Sequence, residues 1–272
     1  IELIGSGSKR KMGRMLQCGA TLSISKLNGI VEYFPEELYI KVKAGTSIKK
    51  IEEILKNKKQ QLAFEPIDFG FLLNGKSDYG TAAGQVACNI SGPRRFKAGG
   101  VRDHILGFRG INGRGEIIKS GGSVVKNVTG YDLSKILTGS FGTLSVFTEI
   151  SIKVLPKADL TKTLVIENPH LKKGLEYLNI ALGSSTDPSG GVFYPEYFRS
   201  QFTFNDLTTD GPITAIRVEG PNESVNYRIK KLSEELKIQK NEFVILEPEQ
   251  SNIFWEKTRS LEVFSGLKFS IF

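Results

Sequence analysis

Short glycine-rich segments recur through the first 157 residues, and this feature constrains the fold more than any other. They lie at residues 5–9, 81–84, 91–95, 99–103, 121–122 and 139–143. Glycine and serine leave the backbone uncovered, so consecutive N–H groups in such segments can approach an anion closely. Few side chains in these segments are of the types that act as acids or bases. The pattern therefore predicts a domain that contacts a large, flat, phosphorylated ligand mainly through its backbone.

Two simpler interpretations of the same residues remain open at this point. Residues 5–9 directly follow an apolar segment, and a plain glycine turn would have the same composition. The second group contains the basic residues Arg94, Arg95, Lys97 and Arg102. These side chains could offset the charge of a pyrophosphate, pair with Asp103, or form the solvated surface of a glycine-rich scaffold.

Hydrophobic periodicity predicts the secondary structure of this half of the chain. Alternation predicts strands at residues 1–4, 38–42 and 143–155. Ile48, Ile51 and Leu55 lie on one helical face, which predicts a helix within residues 46–60. A hairpin turn is predicted at residues 113–115, between strands at 107–111 and 116–119, and a short helix at 131–138.

The pattern changes after Pro156. Strands are predicted at residues 161–167, 191–198, 213–219 and 243–246, and helices at 171–182, 223–236 and 249–264. Their β-α-β-β-α-β order is typical of a ferredoxin-like sheet. We therefore predict an α+β protein with one domain at residues 1–157 and a smaller one at 158–272. Because strand patterns begin at Ile1 and stop at Phe272, we expect both domains to be incomplete at the outer ends.

Composition excludes several classes of function. No apolar run approaches the ~20 residues that span a bilayer. The two cysteines, Cys18 and Cys88, cannot build a disulfide framework, which favours a reducing, cytoplasmic compartment. The net charge of +8 is spread over many predicted helices and lacks interleaved aromatic residues. A solvated surface is therefore expected, and no nucleic-acid partner.

The segment from Gly70 to Ser77 matches the letters of a Walker-type phosphate loop. Its interior holds Phe71 and two leucines where the backbone would have to wrap a phosphate. Residues 78–84 do not form a convincing helix pattern, so no helix N-terminus is expected to face an anion. We interpret residues 70–77 as a surface loop and not as an NTPase site.

Several segments in sequence order carry a resemblance to a known family. They are Val86 to Cys88, Ser91 to Arg95, Val101 to Asp103, Ile111 to Glu116, Lys126 to Leu133, Gly139 to Leu144, Thr148 to Ile150 and Lys153 to Pro156, with Gly5 to Lys9, Gly13 and Ala44 to Thr46 upstream. Their order resembles the FAD-binding subunit of bacterial glycolate oxidase, of the PCMH-type (vanillyl-alcohol-oxidase-like) class of flavoproteins. The resemblance covers residues 1–157 and reaches the second half only in layout. Residues 71–80 depart from it as an insertion.

The resemblance implies a PCMH-type FAD-binding domain followed by a ferredoxin-like cap, with FAD bound at named residues. It places the pyrophosphate at Gly5, Ser6, Gly7, Ser8 and Lys9, the flavin and ribityl chain at Thr81, Gly84, Ser91 and Gly92, further phosphate contacts at Gly99, Arg102 and Asp103, and the adenine at Glu149 and Ile150. Gly13, Pro66, Arg95 and Gly142 complete the expected cofactor site. Because residues 5–13 contain neither His nor Cys, non-covalent attachment is expected.

The resemblance also implies partners and a reaction. The substrate would be a small 2-hydroxy acid, whose oxidation needs a base near the flavin and a cation for the carboxylate. Only His104 and His170 occur, so we expect no metal site and name no catalytic residue. A sister FAD-binding catalytic subunit and an iron–sulfur subunit would complete the enzyme, in a complex peripheral to the inner membrane. The alternatives are a stand-alone D-lactate-type dehydrogenase and a flavin-fold scaffold without its own catalysis.

Overall fold

The structure, a computed structural model, describes residues 1–14, 16–122, 131–204, 207 and 209–265. Contacts between residues divide it into two units. The first contains residues 1–95, 99–157 and 265, and the second contains residues 96–98 and 158–264. The family-like segment 126–130 and the strand expected at the end of the chain lie outside the described residues.

The first unit contains nine strands and most of the short helices within its described residues. The strands are β1 (Glu2–Ile4), β2 (Thr21–Ser23), β3 (Ile30–Phe34), β4 (Tyr39–Lys43), β5 (Gln60–Gln61), β6 (Ile105–Asn112), β7 (Ile117–Gly121), β8 (Ser145–Lys153) and β9 (Leu155–Pro156). The helices are α1 (Ile48–Lys56), α2 (Gly70–Asn74), α3 (Ala82–Cys88), α5 (Val101–His104) and α6 (Leu133–Leu137). Helix α4 (Arg95–Ala98) begins in this unit and ends in residues that group with the second.

A five-stranded antiparallel sheet of order β3-β4-β8-β6-β7 forms the core of the first unit. Val42 pairs with Ile150 in register, and their side chains are fully buried. Helix α1 packs against this core because Ile48, Ile51 and Leu55 recur at helical spacing, and all three are buried. Strands β1 and β2 pair in parallel, and β1 leads directly into residues 5–9.

Helix α3 corrects one sequence-based prediction. Residues 78–84 were expected to lack helical structure, but Ala82–Cys88 is helical and Thr81 is its N-cap. The periodicity was hidden because Gln85, a polar residue, occupies a fully buried position. Its amide donates to the carbonyl oxygens of Ile67 and Tyr79, at 2.9 and 2.7 Å, which satisfies the buried donor.

The second unit is an antiparallel sheet of order β11-β12-β10-β13 with helices on both faces. Its elements are β10 (Leu160–Glu167), α7 (Leu171–Gly183), β11 (Gly190–Tyr194), β12 (Ile213–Gly220), α8 (Asn222–Glu235), β13 (Phe243–Leu246) and α9 (Pro248–Arg259). Helices α7 and α8 pack on one face, and α9 packs on the other through Phe254 and Trp255.

The element order and strand order of this unit are those of the ferredoxin-like sheet expected from the sequence. One strand is shorter than predicted: β11 ends at Tyr194, because Pro195 cannot continue the ladder and a 3-10 turn follows at Glu196–Gln201. None of the helices in the described part of the chain has the length and hydrophobicity needed to cross a bilayer.

Candidate functional site

The first unit contains a cavity of about 390 Å³. This lies within the range of roughly 300–1,000 Å³ that is usual for small-molecule sites. Its walls come from three segments of the chain: the N-terminal residues with the loop after β1, helix α3, and a turn before β8. The lining residues are Ile1 to Arg10, Met12, Arg14, Leu16, Thr81, Gly84, Ala87, Cys88, and Phe141 to Thr143.

The loop of residues 5–9, here called the glycine loop, lines this cavity. Gly7 has φ +81°, a left-handed conformation that favours glycine. Within the part of the chain that the structure describes, the N–H groups of residues 6–9 have no hydrogen-bond acceptor. A run of unpaired N–H groups in a turn is an arrangement that binds anions.

The glycine loop lies very close to the start of α3. A Cβ built on Gly5 would be 2.2 Å from Thr81 Oγ1, so only glycine fits there. Thr81 Oγ1 in turn accepts a hydrogen bond from the N–H of Gly84 at 3.3 Å and caps the helix. The third wall is fixed to the other end of α3, because Phe141 N–H donates to the Ala87 carbonyl oxygen at 2.8 Å.

Lys9 is the cation that burial most affects in this cavity. Burial lowers the pKa of its ammonium group, and Cys88, Asp78 and Asp68 oppose that shift. Burial also raises the pKa of the Cys88 thiol, which Lys9 opposes. Arg10 has its own partner, since its guanidinium forms an ion pair of 2.7 Å with Glu2. Lys9 is therefore available for an anion in the cavity.

The structure brings eight of the predicted cofactor residues to this cavity. They are Gly5, Ser6, Gly7, Ser8, Lys9, Thr81, Gly84 and Gly142. Gly142 has φ +75°, which turns the chain so that it approaches Leu3 of β1. Sequence reasoning from the glycine pattern thus located all three walls.

A second set of predicted residues forms a separate cluster just after α3. Ser91 Oγ accepts from Val101 N–H at 2.9 Å, and the Asp103 carboxylate accepts from Gly100 N–H at 2.7 Å. A Cβ on Gly92 would lie 2.6 Å from the Glu65 carbonyl oxygen. Gly99 has φ +84°, and the side chains of Arg95 and Arg102 are exposed. These contacts are local, and the role of this cluster in binding the cofactor stays a prediction.

The remaining predicted residues lie apart from both groups. Gly13 is exposed, between cavity residues Met12 and Arg14, and Pro66 is buried. The Ile150 side chain is buried in the sheet core. Glu149 lines a different depression of about 660 Å³, together with Lys41, Arg109 and Lys119. The predicted adenine contact at Glu149 and Ile150 is thus not part of the cavity described above.

Other cavity residues were not among the cofactor residues predicted from the sequence. They are chiefly Met12, Arg14, Leu16, Ala87, Cys88, Phe141 and Thr143. Phe141 had a detectable signal, because it lies between two glycines of a predicted turn, where it has φ +53°. Arg14 and Leu16 follow no pattern that distinguishes them from an ordinary surface loop.

The residues of the cavity fit a phosphorylated, partly apolar cofactor. The unpaired N–H groups and Lys9 suit a phosphate, while Leu3, Leu16 and Phe141 offer apolar surface for a ring system. Within the described ranges, no three His, Cys, Asp or Glu side chains are placed to hold a metal ion. The N–H groups, Lys9 and the apolar side chains together are suited to an anionic organic ligand.

Comparison with known proteins defines the class. Residues 1–121 match the family described as FAD binding domain. Solved structures of alkyldihydroxyacetonephosphate synthase (TM-score 0.72, 17% identity) and substrate-bound p-cresol methylhydroxylase (TM-score 0.70, 15% identity) have the same fold. Each alignment covers 97% of this chain, and 51% and 58% of those chains. The first unit thus has the PCMH-type fold, and FAD is the cofactor that its match to the FAD binding domain indicates.

Proteins that are similar in sequence indicate the kind of flavoprotein more narrowly than the fold does. The chain is 46% identical to glycolate oxidase subunit GlcE of Escherichia coli over 157 residues, which are 58% of this chain and 43% of that protein. It is 25% identical to glycolate oxidase subunit GlcD of Bacillus subtilis, over 79% of this chain and 45% of that protein. A D-lactate dehydrogenase of Anaerostipes hadrus is 32% identical over 57% of this chain and 30% of that protein. The resemblance to glycolate oxidase flavin subunits is confirmed, and the chain spans less than half the length of these relatives.

Proposed function

We propose that this chain is the FAD-binding subunit of a multi-subunit oxidase or dehydrogenase of glycolate-type 2-hydroxy acids. The observation that supports this most strongly is the set of unpaired N–H groups at residues 6–9, in the described part of a domain that matches the FAD binding family. Similarity to the subunits GlcE and GlcD supports the substrate class and the assembly. In this assembly the chain works in the cytoplasm, next to the inner membrane.

The chain's own residues bind and orient the cofactor. The N–H groups of residues 6–9 and the Lys9 ammonium would hold the pyrophosphate, and Leu3, Leu16 and Phe141 would offer apolar surface to the rest of the cofactor. The bound flavin supplies a two-electron acceptor for the carbon that carries the hydroxyl group. Attachment is non-covalent: Cys88 lines the cavity, but its raised pKa keeps the thiol protonated, and the thiolate is the nucleophilic form.

The histidines support a division of labour between subunits. His104 is buried beside the ring of Phe64, with ring centroids 5.6 Å apart, and His170 caps helix α7. Neither lines the cavity described above. The chain thus offers a cofactor site without a histidine base beside it. A sister flavin subunit oxidises the substrate in this proposal, and an iron–sulfur subunit receives the electrons.

Anaerobic reduction by substrate tests the proposal. The purified chain is reconstituted with FAD and mixed with glycolate or D-lactate, alone and together with its copurifying subunits. We expect the chain alone to stay yellow and the complex to bleach with glycolate. Bleaching of the chain alone by D-lactate would instead establish the stand-alone dehydrogenase. A chain that stays colourless after incubation with FAD would leave only the scaffold alternative.

A further inference from the structure

The insertion that resembles a Walker-type loop has an ordered structure with buried anchors. Residues 68–80, here called the 68–80 loop, contain helix α2 and end just before Thr81. The Asp68 side chain is fully buried at the start of the loop. Its carboxylate accepts from Gly70 N–H at 2.6 Å, Ser77 Oγ–H at 2.6 Å and Asp78 N–H at 2.9 Å. One buried carboxylate therefore ties the end of the loop to its beginning.

A second buried side chain connects the same loop to helix α3. Gln85 donates to the carbonyl oxygen of Ile67, just before the loop, and to that of Tyr79, near the end of the loop. Gly70 has no room for a side chain, since a Cβ would lie 2.3 Å from both Asp78 N and the Lys76 carbonyl oxygen. Hydrogen bonds to buried polar side chains and close backbone packing both restrict the conformation of a loop. The 68–80 loop is consequently held in one defined position.

The 68–80 loop contacts the glycine loop at three places. Asn74 Nδ2 donates to the Ser8 carbonyl oxygen at 3.1 Å, and Ser6 Oγ donates to Asp78 Oδ1 at 3.3 Å. At Gly80, where φ is +78°, a Cβ would lie 2.7 Å from Ser8 Oγ and 3.3 Å from Lys9 Nζ. The side chains of the 68–80 loop thus form hydrogen bonds with carbonyl and hydroxyl groups of the glycine loop. The N–H groups of the glycine loop remain available to an anion.

We propose that the 68–80 loop is a clamp that holds the glycine loop in its pyrophosphate-binding conformation, with Asn74 and Asp78 as positioning residues. The inference rests on the proposed flavin site and deepens it. The glycine loop is short and contains left-handed Gly7, so unsupported it would lose conformational entropy on binding. Fixing it in advance removes that cost and strengthens binding of a ligand that carries a pyrophosphate.

Binding of FAD and of ADP to the full chain tests the clamp. ADP carries the pyrophosphate without the flavin ring, so a defect at the glycine loop should weaken both ligands by the same factor. Asn74→Ala and Asp78→Ala should each weaken both by about 3- to 10-fold, the range expected for loss of one hydrogen bond. Asp78→Asn retains the Oδ1 acceptor and should restore binding of both ligands.

A matched control separates positioning from general damage. Asn112 is also a hydrogen-bonded asparagine of the first unit, bonded to Glu116 at 2.7 Å in the β6–β7 turn, and lines neither cavity. Asn112→Ala should bind FAD and ADP like the unsubstituted chain. Circular dichroism and thermal melting confirm folding, and Asn74→Ala at an exposed position carries the test if Asp78→Ala does not fold.

The outcomes separate this inference from the proposed function. Unchanged FAD and ADP affinity in Asn74→Ala and Asp78→Ala would overturn the clamp and leave the flavin site intact. An Asp78→Asn variant as weak as Asp78→Ala would also overturn it, because the charge and not the acceptor would then matter. An unsubstituted chain that binds neither FAD nor ADP would remove the proposed function, and the clamp with it.

Discussion

Lys9 is a partly buried residue at the end of the glycine loop, and burial lowers the pKa of its ammonium group. Burial costs free energy for the charged ammonium form. A charge-assisted contact with a bound pyrophosphate would offset that cost. Cys88 and the nearby carboxylates of Asp78 and Asp68 partly oppose the lowering of the Lys9 pKa that burial causes. At the scale of single residues, we therefore expect the protonation state of Lys9 to make cofactor affinity depend on pH.

The first prediction is that FAD affinity falls with rising pH below the range in which an ordinary lysine titrates, about 10.4. Because the pKa of Lys9 is lowered, its charge is present below that lowered pKa and is lost above it, and the pyrophosphate contact is lost with it. Fluorescence titration of FAD against pH measures this. Lys9→Ala should bind about 10-fold more weakly at neutral pH and should lose this pH dependence.

Lys9→Arg provides the control for that titration. Arginine keeps its charge over the whole pH range of the titration. The loss of affinity that is caused by deprotonation at position 9 should therefore disappear. The pH dependence of affinity that remains in Lys9→Arg comes from ionisation of the flavin itself, and it is subtracted from the curve of the unsubstituted chain. Equal pH dependence in the lysine and arginine forms would contradict the role of Lys9.

The second prediction concerns the two cysteines. Cys18 is exposed, whereas burial raises the pKa of the Cys88 thiol. Since the thiolate is the reactive form, iodoacetamide at neutral pH should modify Cys18 well before Cys88. Mass spectrometry of timed samples measures both rates. Modification of Cys88 as fast as that of Cys18 would show that the thiol is neither buried nor suppressed.

Helix α3 is the element that connects the walls of the cavity, and its N-cap is the third prediction. Thr81→Ala should lower the free energy of unfolding by about 1 kcal/mol, because Gly84 N–H loses its acceptor. Thr81→Ser keeps a hydroxyl and should recover most of that loss. Urea denaturation without FAD makes the comparison, and equal stability of the alanine and serine variants would contradict the cap.

The fourth prediction concerns helix α7 in the second unit. Alanine normally stabilises a helix relative to glycine, by up to about 1 kcal/mol. At Gly174, however, a Cβ would lie 2.5 Å from the Phe193 ring and 2.8 Å from Thr214 Oγ1. Gly174→Ala should therefore destabilise the protein, by about 1–3 kcal/mol. Gly183→Ala in the same helix meets no atom within 4 Å and is the matched control, expected to be neutral or stabilising.

At the scale of the whole molecule, the order of elements in both units was largely predictable from the sequence. Apolar periodicity located α1 and β4, because their buried faces consist of regularly spaced hydrophobic residues, and the turn at residues 113–115 located the β6–β7 hairpin. Periodicity failed at α3, where a buried glutamine replaces the apolar residue. It also failed at α2, a single short turn of helix next to the hydrogen bonds that Asp68 accepts within the same loop.

The walls of the cavity were predictable to a similar extent, and their role in binding the cofactor stays a prediction. The glycine pattern identified the glycine loop, Thr81 with Gly84, and Gly142, since these positions need an uncovered or left-handed backbone. It could not identify Leu16 or Arg14, whose contribution depends only on how the chain folds back onto the cavity. The interpretation of residues 70–77 as a plain surface loop missed their contacts with the glycine loop, because hydrogen bonds between segments leave no local pattern.

The central claim is that the first unit binds FAD without a covalent bond. A visible absorbance spectrum of the purified chain, incubated with FAD and then desalted, followed by acid precipitation, tests it most directly. We predict a yellow protein whose flavin passes entirely into the supernatant and is identified there as FAD. A colourless protein, or a pellet that retains the yellow flavin, would contradict the account.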